Sequence, residues 1–158
     1  MFAVACGGDD GAEAPNLDGY LHEVEAILQE SGQRFDELGS QGLTPEEIAN
    51  PADAVALEDQ ARDIISDSLE SLRALDAPEE AQREHEELVV AANNYVDELD
   101  AFIGKLQDAQ TADDVQALFQ NVPGSPLDEA ATRLDTSCLQ LQDVATARGI
   151  DVDLGCGE

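Results

Sequence analysis

The residues best suited to acid–base or metal chemistry in this chain of 158 residues are its two histidines, His22 and His85. His85 falls on the apolar face of a predicted helix and has three glutamates close by. An imidazole buried beside carboxylates can act as a metal ligand or as a base with a shifted pKa. His22 and Glu25 are three residues apart, which puts them on one face of a helix. His22, Glu25 and His85 are therefore the candidate metal ligands.

Established metal patterns match these residues only in part. A ferritin-like di-iron site needs Glu-x-x-His on two helices, whereas the residues three before His85 and His22 are Gln82 and Gly19. The His22-x-x-Glu25 spacing resembles one element of the imelysin-type, iron-associated envelope proteins, but the rest of that pattern is missing. For His85 we favour a histidine at the core edge that hydrogen-bonds across a helical bundle. We expect no bound cofactor.

Nucleophilic catalysis is poorly supported by the sequence. It requires a Ser, Thr or Cys beside a base that a third group orients, and two histidines allow few such arrangements. The Gly-x-Ser-x-Gly motif of many hydrolases is absent. We therefore expect the chain not to be an enzyme.

The charge of the chain restricts its partners. It has 36 acidic residues against 7 Lys and Arg, a formal net charge of −29. Repulsion of this size excludes nucleic-acid phosphates and anionic lipid headgroups as surface partners, whereas cations and basic proteins are favoured. Trp is absent and aromatic residues are 4% of the chain, so the stacking platforms of single-strand-binding proteins are not expected.

The N-terminus contains a candidate lipidation site. Met1-Phe2-Ala3-Val4-Ala5 precedes Cys6, and a flexible run with Gly and Asp follows it. This segment resembles a bacterial lipobox, in which a peptidase cuts before the cysteine and the new N-terminal cysteine carries acyl chains. The apolar stretch is shorter than the 7–15 residues of a signal peptide and lacks Lys and Arg, so we expect a truncated signal. The resemblance implies an extracytoplasmic protein held at the cell membrane or envelope by lipid on Cys6.

The other two cysteines form a candidate disulfide. Cys138 lies on the apolar face of the last predicted helix, and Cys156 is in phase with the apolar residues of an alternating tail. The helix runs about 15 Å beyond Cys138, and seven extended residues reach back about 25 Å. A Cys138–Cys156 bridge is therefore expected, and it would indicate the same oxidising compartment as the lipobox.

Four long segments show apolar residues at alternating steps of three and four, the pattern of amphipathic helices. Prolines at 15, 45, 51, 78, 123 and 126 separate them. Shorter helices are expected after Thr44 and Thr111, Ser125 should begin the last long helix, and Gly39 should end the first. The apolar stripes of the four long helices are, in chain order, Leu17, Leu21, Val24, Leu28, Ser31, Phe35 and Leu38; Leu57, Ala61, Ile64 with Ile65, Ser68 with Leu69, Leu72 and Leu75; Ala81, His85, Leu88, Ala92, Tyr95, Leu99, Phe102 and Leu106; and Leu127, Ala131, Leu134, Cys138, Leu141 and Ala145.

This pattern predicts an all-α fold, an antiparallel up-down four-helix bundle with two short connecting helices and an extended C-terminal strap. Residues 1–16 would be the truncated signal and an acidic tether, and residues 17–158 the bundle with its strap at 149–158. We expect a non-enzymatic envelope lipoprotein whose acidic bundle binds a protein partner, a cation or a basic ligand outside the membrane. The alternative is a metal- or cation-binding sensor bundle in the envelope.

Overall fold

The computed structural model describes residues 16–40 and 50–156 of the chain. Within these ranges all regular secondary structure is helical, which confirms the predicted all-α class. The segment around Cys6 and the short helix expected after Thr44 lie outside the described residues. The helices are α1 (Leu17–Ser40), α2 (Pro51–Arg73), α3 (Gln82–Asp108), α4 (Ala112–Gln120) and α5 (Pro126–Arg148).

Two of the predicted helix starts are confirmed in atomic detail. Thr111 and Asp114 form a capping box at α4, in which each side chain accepts the backbone N–H of the other residue. Ser125 accepts the N–H of Asp128 at the start of α5. The side chain of Asn50 caps α2 in the same way. These bonds satisfy backbone donors that have no partner inside the helix.

The predicted end of α1 at Gly39 is wrong by one residue, because the helix continues through Gly39 to Ser40. Glycine weakens a helix without excluding it, and the space around Gly39 is open. The Ser40 hydroxyl also donates a hydrogen bond of 2.7 Å to the carbonyl of Glu37. One of the terminal carbonyls is therefore satisfied by this side chain.

The helices form a bundle in which α3 packs against both α2 and α5, and α1 packs against α2. The shorter α4 lies against α2 and α3. Buried residues fall into two clusters. The first joins the beginning of α1 to the end of α5 and to the tail that follows it. The second joins the end of α3 to α4 and the beginning of α2.

We expect the stability of this bundle to rise with salt. A net charge of −29 opposes compaction, and ions at 0.1 M screen such repulsion beyond about 10 Å. A thermal melt series in NaCl from low to about molar concentration should show a rising midpoint. A midpoint that stays flat or falls would mean that the repulsion is already compensated, for example by bound cations.

Candidate functional site

His85 is buried and hydrogen-bonded across the bundle, which confirms the expectation of a core-edge histidine. Its side chain on α3 is 9% exposed, and its Nδ1 lies 2.9 Å from the hydroxyl of Tyr20 on α1. The two rings meet edge to face with centroids 5.8 Å apart. Burial raises the pKa of Tyr20, and the charge of Glu84 raises it further. The pair therefore acts as a polar link between α1 and α3.

The burial of His85 also predicts how the free energy of unfolding depends on pH. Burial lowers the pKa of His85 from 6.5, although the charge of Glu86 opposes this shift. Below about pH 6.5 His85 is protonated in the unfolded chain but still neutral in the folded chain. Lowering the pH therefore favours unfolding until the pH reaches the pKa of His85 in the folded chain. We expect the contribution of His85 to the unfolding free energy to fall as the pH drops from about 7.5 through 6.5, and His85→Gln to remove that contribution.

The matched control for this experiment is His22→Gln, because the His22 side chain is 50% exposed. Denaturant unfolding at several pH values measures both variants and the parent chain. If His85→Gln and the parent chain show the same slope over this range, desolvation of His85 does not contribute to acid sensitivity.

The His22–Glu25 pair has a structural role at the end of the bundle. His22 Nδ1 lies 3.2 Å from Glu25 Oε2, and Glu25 Oε1 accepts the backbone N–H of Asp153 at 2.9 Å. The hydrogen bond from Asp153 is the first cause of a lowered pKa for Glu25, and the bond with His22 is the second. Both carboxylate oxygens are thus engaged: Oε1 joins α1 to the C-terminal tail, and Oε2 bonds His22 within α1.

The three predicted metal ligands are not gathered into one site. His85 is bonded to Tyr20, whereas His22 is bonded to Glu25, which in turn bonds the tail. Within residues 16–40 and 50–156, no group of three or more His, Cys, Asp or Glu side chains is arranged to hold a metal ion. The structure therefore brings together two of the three residues, and these two already have protein partners.

The predicted Cys138–Cys156 disulfide is present, with the two Cα atoms 5.7 Å apart. Gly149 ends α5 in a left-handed conformation with φ of 67°, so the chain turns back along the helix. Gln142 then holds the returning tail, because its amide donates to the carbonyl of Val152 and accepts the N–H of Leu154, both at 2.9 Å. The tail residues Val152 and Leu154 are buried.

The described residues form an end cleft and a middle cleft with mainly apolar walls, and His85 lines neither of these two. The end cleft, about 490 Å³, lies between α2, α3, α4 and the start of α5. The middle cleft, about 370 Å³, lies between α1, α2, α3 and α5. Tyr95 lines both of them. The apolar wall of the end cleft consists of Leu99, Phe102, Phe119, Val122, Pro123 and Leu127.

These clefts coincide with an incomplete burial of the predicted stripes. In α1, α3 and α5, every predicted stripe residue that is not buried lines one of the two clefts. The residues concerned are Leu28, Ser31 and Phe35 of α1, Tyr95 of α3, and Leu127, Ala131 and Leu134 of α5. In α2, the partly buried stripe residues Ile65 and Ser68 also line the middle cleft, whereas Leu57 and Ala61 line neither cleft.

Sequence reasoning missed the polar groups of the end cleft. Glu58 on α2 is half-buried there, next to the apolar wall, and burial raises its pKa. Burial also raises the pKa of Tyr95, with the charges of Glu58 and then Asp135 adding to the effect. Glu58 directly follows the stripe residue Leu57, and this flank position was the only sequence signal for it.

No helix among the described residues is long and apolar enough to cross a membrane. Comparison of the chain with models of known protein families, with curated proteins and with solved structures gives no match.

Proposed function

We propose that this chain is a non-enzymatic lipoprotein of the cell envelope, anchored by lipid on Cys6, whose acidic helical bundle binds a ligand or partner outside the membrane. The lipobox-like residues before Cys6 support the anchor. The Cys138–Cys156 bridge supports the compartment, because disulfides persist mainly in oxidising surroundings.

The finer architecture belongs to the same proposal. We place α1, α2, α3 and α5 in an antiparallel up-down bundle, with α4 as a connecting helix and the tail as a strap over one end. Contacts between α1 and α2, α2 and α3, and α3 and α5 support this order. The hydrogen bonds of the tail to Gln142 and Glu25 support the strap.

The observation that most supports binding is the pair of clefts lined by unburied stripe residues. Apolar side chains that face the bundle interior but remain partly exposed still contact water, and they make fewer van der Waals contacts than closely packed side chains. Small-molecule sites have this form, with mainly apolar walls and volumes of about 300–1,000 Å³. Both clefts fall in that size range.

Mass spectrometry of the protein from native membranes tests the proposal. The protein should be expressed from its native gene and purified without chelator. We expect a covalent mass increase on Cys6 from two or three acyl chains, which survives denaturation. We also expect an organic ligand that native spectra show and denatured spectra lack.

Three results would count against this function. An unmodified Cys6 would remove the lipid anchor. A ligand-free spectrum, together with no partner crosslinked to the bundle on native membranes, would remove the binding role. A bound metal that a chelator strips would instead favour the alternative of a metal- or cation-binding sensor bundle.

A further inference from the structure

We propose that the end cleft binds a small organic cation whose charge is surrounded by apolar groups, as in a quaternary ammonium, with Glu58 as its counterion. This inference rests on the proposed binding function and names the class of ligand. It follows from three properties of the cleft, namely its aromatic rings, its carboxylate and its lack of a basic side chain.

Aromatic residues are concentrated in this cleft. The whole chain has two Tyr, four Phe and no Trp, and three of those six rings, Tyr95, Phe102 and Phe119, line it. Phe102 and Phe119 meet edge to face with centroids 5.3 Å apart. Ring faces attract cations, and aromatic cages are a recurrent way to recognise quaternary ammonium groups.

Glu58 supplies a carboxylate that lacks a protein counterion among the described residues. Arg62 lies four residues further along α2, a spacing that favours an ion pair. Its guanidinium contacts Asp63 at 2.8 Å and Asp100 at 3.4 Å instead. Burial raises the pKa of Glu58, and none of the ion pairs among the described residues includes it.

The lining as a whole selects for a positive and partly apolar ligand. None of the described residues that line the end cleft is Lys or Arg. The remaining polar side chains are the neutral amides of Gln116 and Gln120 on α4. A strongly hydrated metal ion would lose its water against this apolar wall, whereas an alkylated ammonium ion is compatible with both the rings and the carboxylate.

Titration calorimetry on the full 158-residue chain tests the inference, with benzyltrimethylammonium as the probe. Benzyl alcohol and benzoate are the neutral and anionic controls. The buffer should contain about 0.5 M NaCl, so that diffuse attraction to the acidic surface is screened. We expect one site per chain for the ammonium probe and at least about tenfold weaker binding of both controls.

Matched variants then locate the site. Glu58→Gln should weaken ammonium binding about tenfold or more, whereas Glu70→Gln, which removes an exposed charge from the same helix, should change it less than about twofold. Phe119→Leu keeps an apolar side chain but removes a ring, and should weaken binding about threefold. Circular dichroism melts confirm that each variant is folded.

Three outcomes would overturn the inference. Equal losses in Glu58→Gln and Glu70→Gln would show diffuse charge attraction. Benzyl alcohol binding as tightly as the ammonium probe would show a merely apolar cleft. No binding of the probe at millimolar concentration would show no site. If Cys6 is acylated but the ammonium probe does not bind, only this inference is refuted. If the probe binds specifically but Cys6 is unmodified, only the proposed anchor is refuted.

Discussion

Replacing Leu141 by Ala should lower the free energy of unfolding by about 3 kcal/mol, since truncating a buried leucine both loses transfer free energy and leaves a cavity. Leu141 on α5 is 0% exposed and belongs to the cluster that joins α1, α5 and the tail. Urea unfolding followed by circular dichroism measures the change.

Leu139 provides a control on the same helix. Its side chain is 48% exposed, so Leu139→Ala makes the same chemical change without opening a cavity in the core. We expect this variant to lose less than about 0.5 kcal/mol. Equal losses at the two positions would contradict the packing of α5 described above.

Replacing both Cys138 and Cys156 by Ala should lower stability by about 2–4 kcal/mol without unfolding the helices. The bridge spans 18 positions, and closing a loop of that length removes about 3 kcal/mol of chain entropy from the unfolded state. The loss is bounded because Gln142 still bonds the tail and the helices keep their stripes.

Thiol titration provides an independent check of the bridge. In a Cys6→Ser background, denatured and unreduced protein should contain no free thiol. Reduction of that protein should shift its unfolding midpoint about as far as the double substitution does. Two titratable thiols in protein prepared under oxidising conditions would exclude the bridge and weaken the case for an extracytoplasmic address.

The cysteine bridge shows how much a local pattern can determine. Cys138 was in phase with a period of 3.6 and Cys156 with a period of 2, so each was expected to face the same core. The short chain between them limited the possible separation. Because both constraints are local, the sequence alone was sufficient to predict this contact.

His85 marks the limit of such reasoning. Its place in the stripe predicted burial and a hydrogen bond across the bundle, but nothing in the sequence identified Tyr20 as the partner. Tyr20 lies beside the predicted stripe of α1 and is nevertheless buried. Which flank of α1 turns towards α3 depends on how the helices are rotated about their axes. That rotation follows from the packing of the whole bundle.

The sequence by itself determined the long helices, the caps at Thr111 and Ser125 and most of the faces that turn inward, since these depend on residues within a few positions of one another. Only the tertiary structure decided where those faces meet closely and where they leave the end cleft and the middle cleft. Periodicity records that a side chain is apolar, but the space between helices depends on the sizes of residues far apart in the chain. For the same reason Glu58, beside the stripe of α2, became a candidate site residue only after the structure placed it in the same cleft as Phe102 and Phe119.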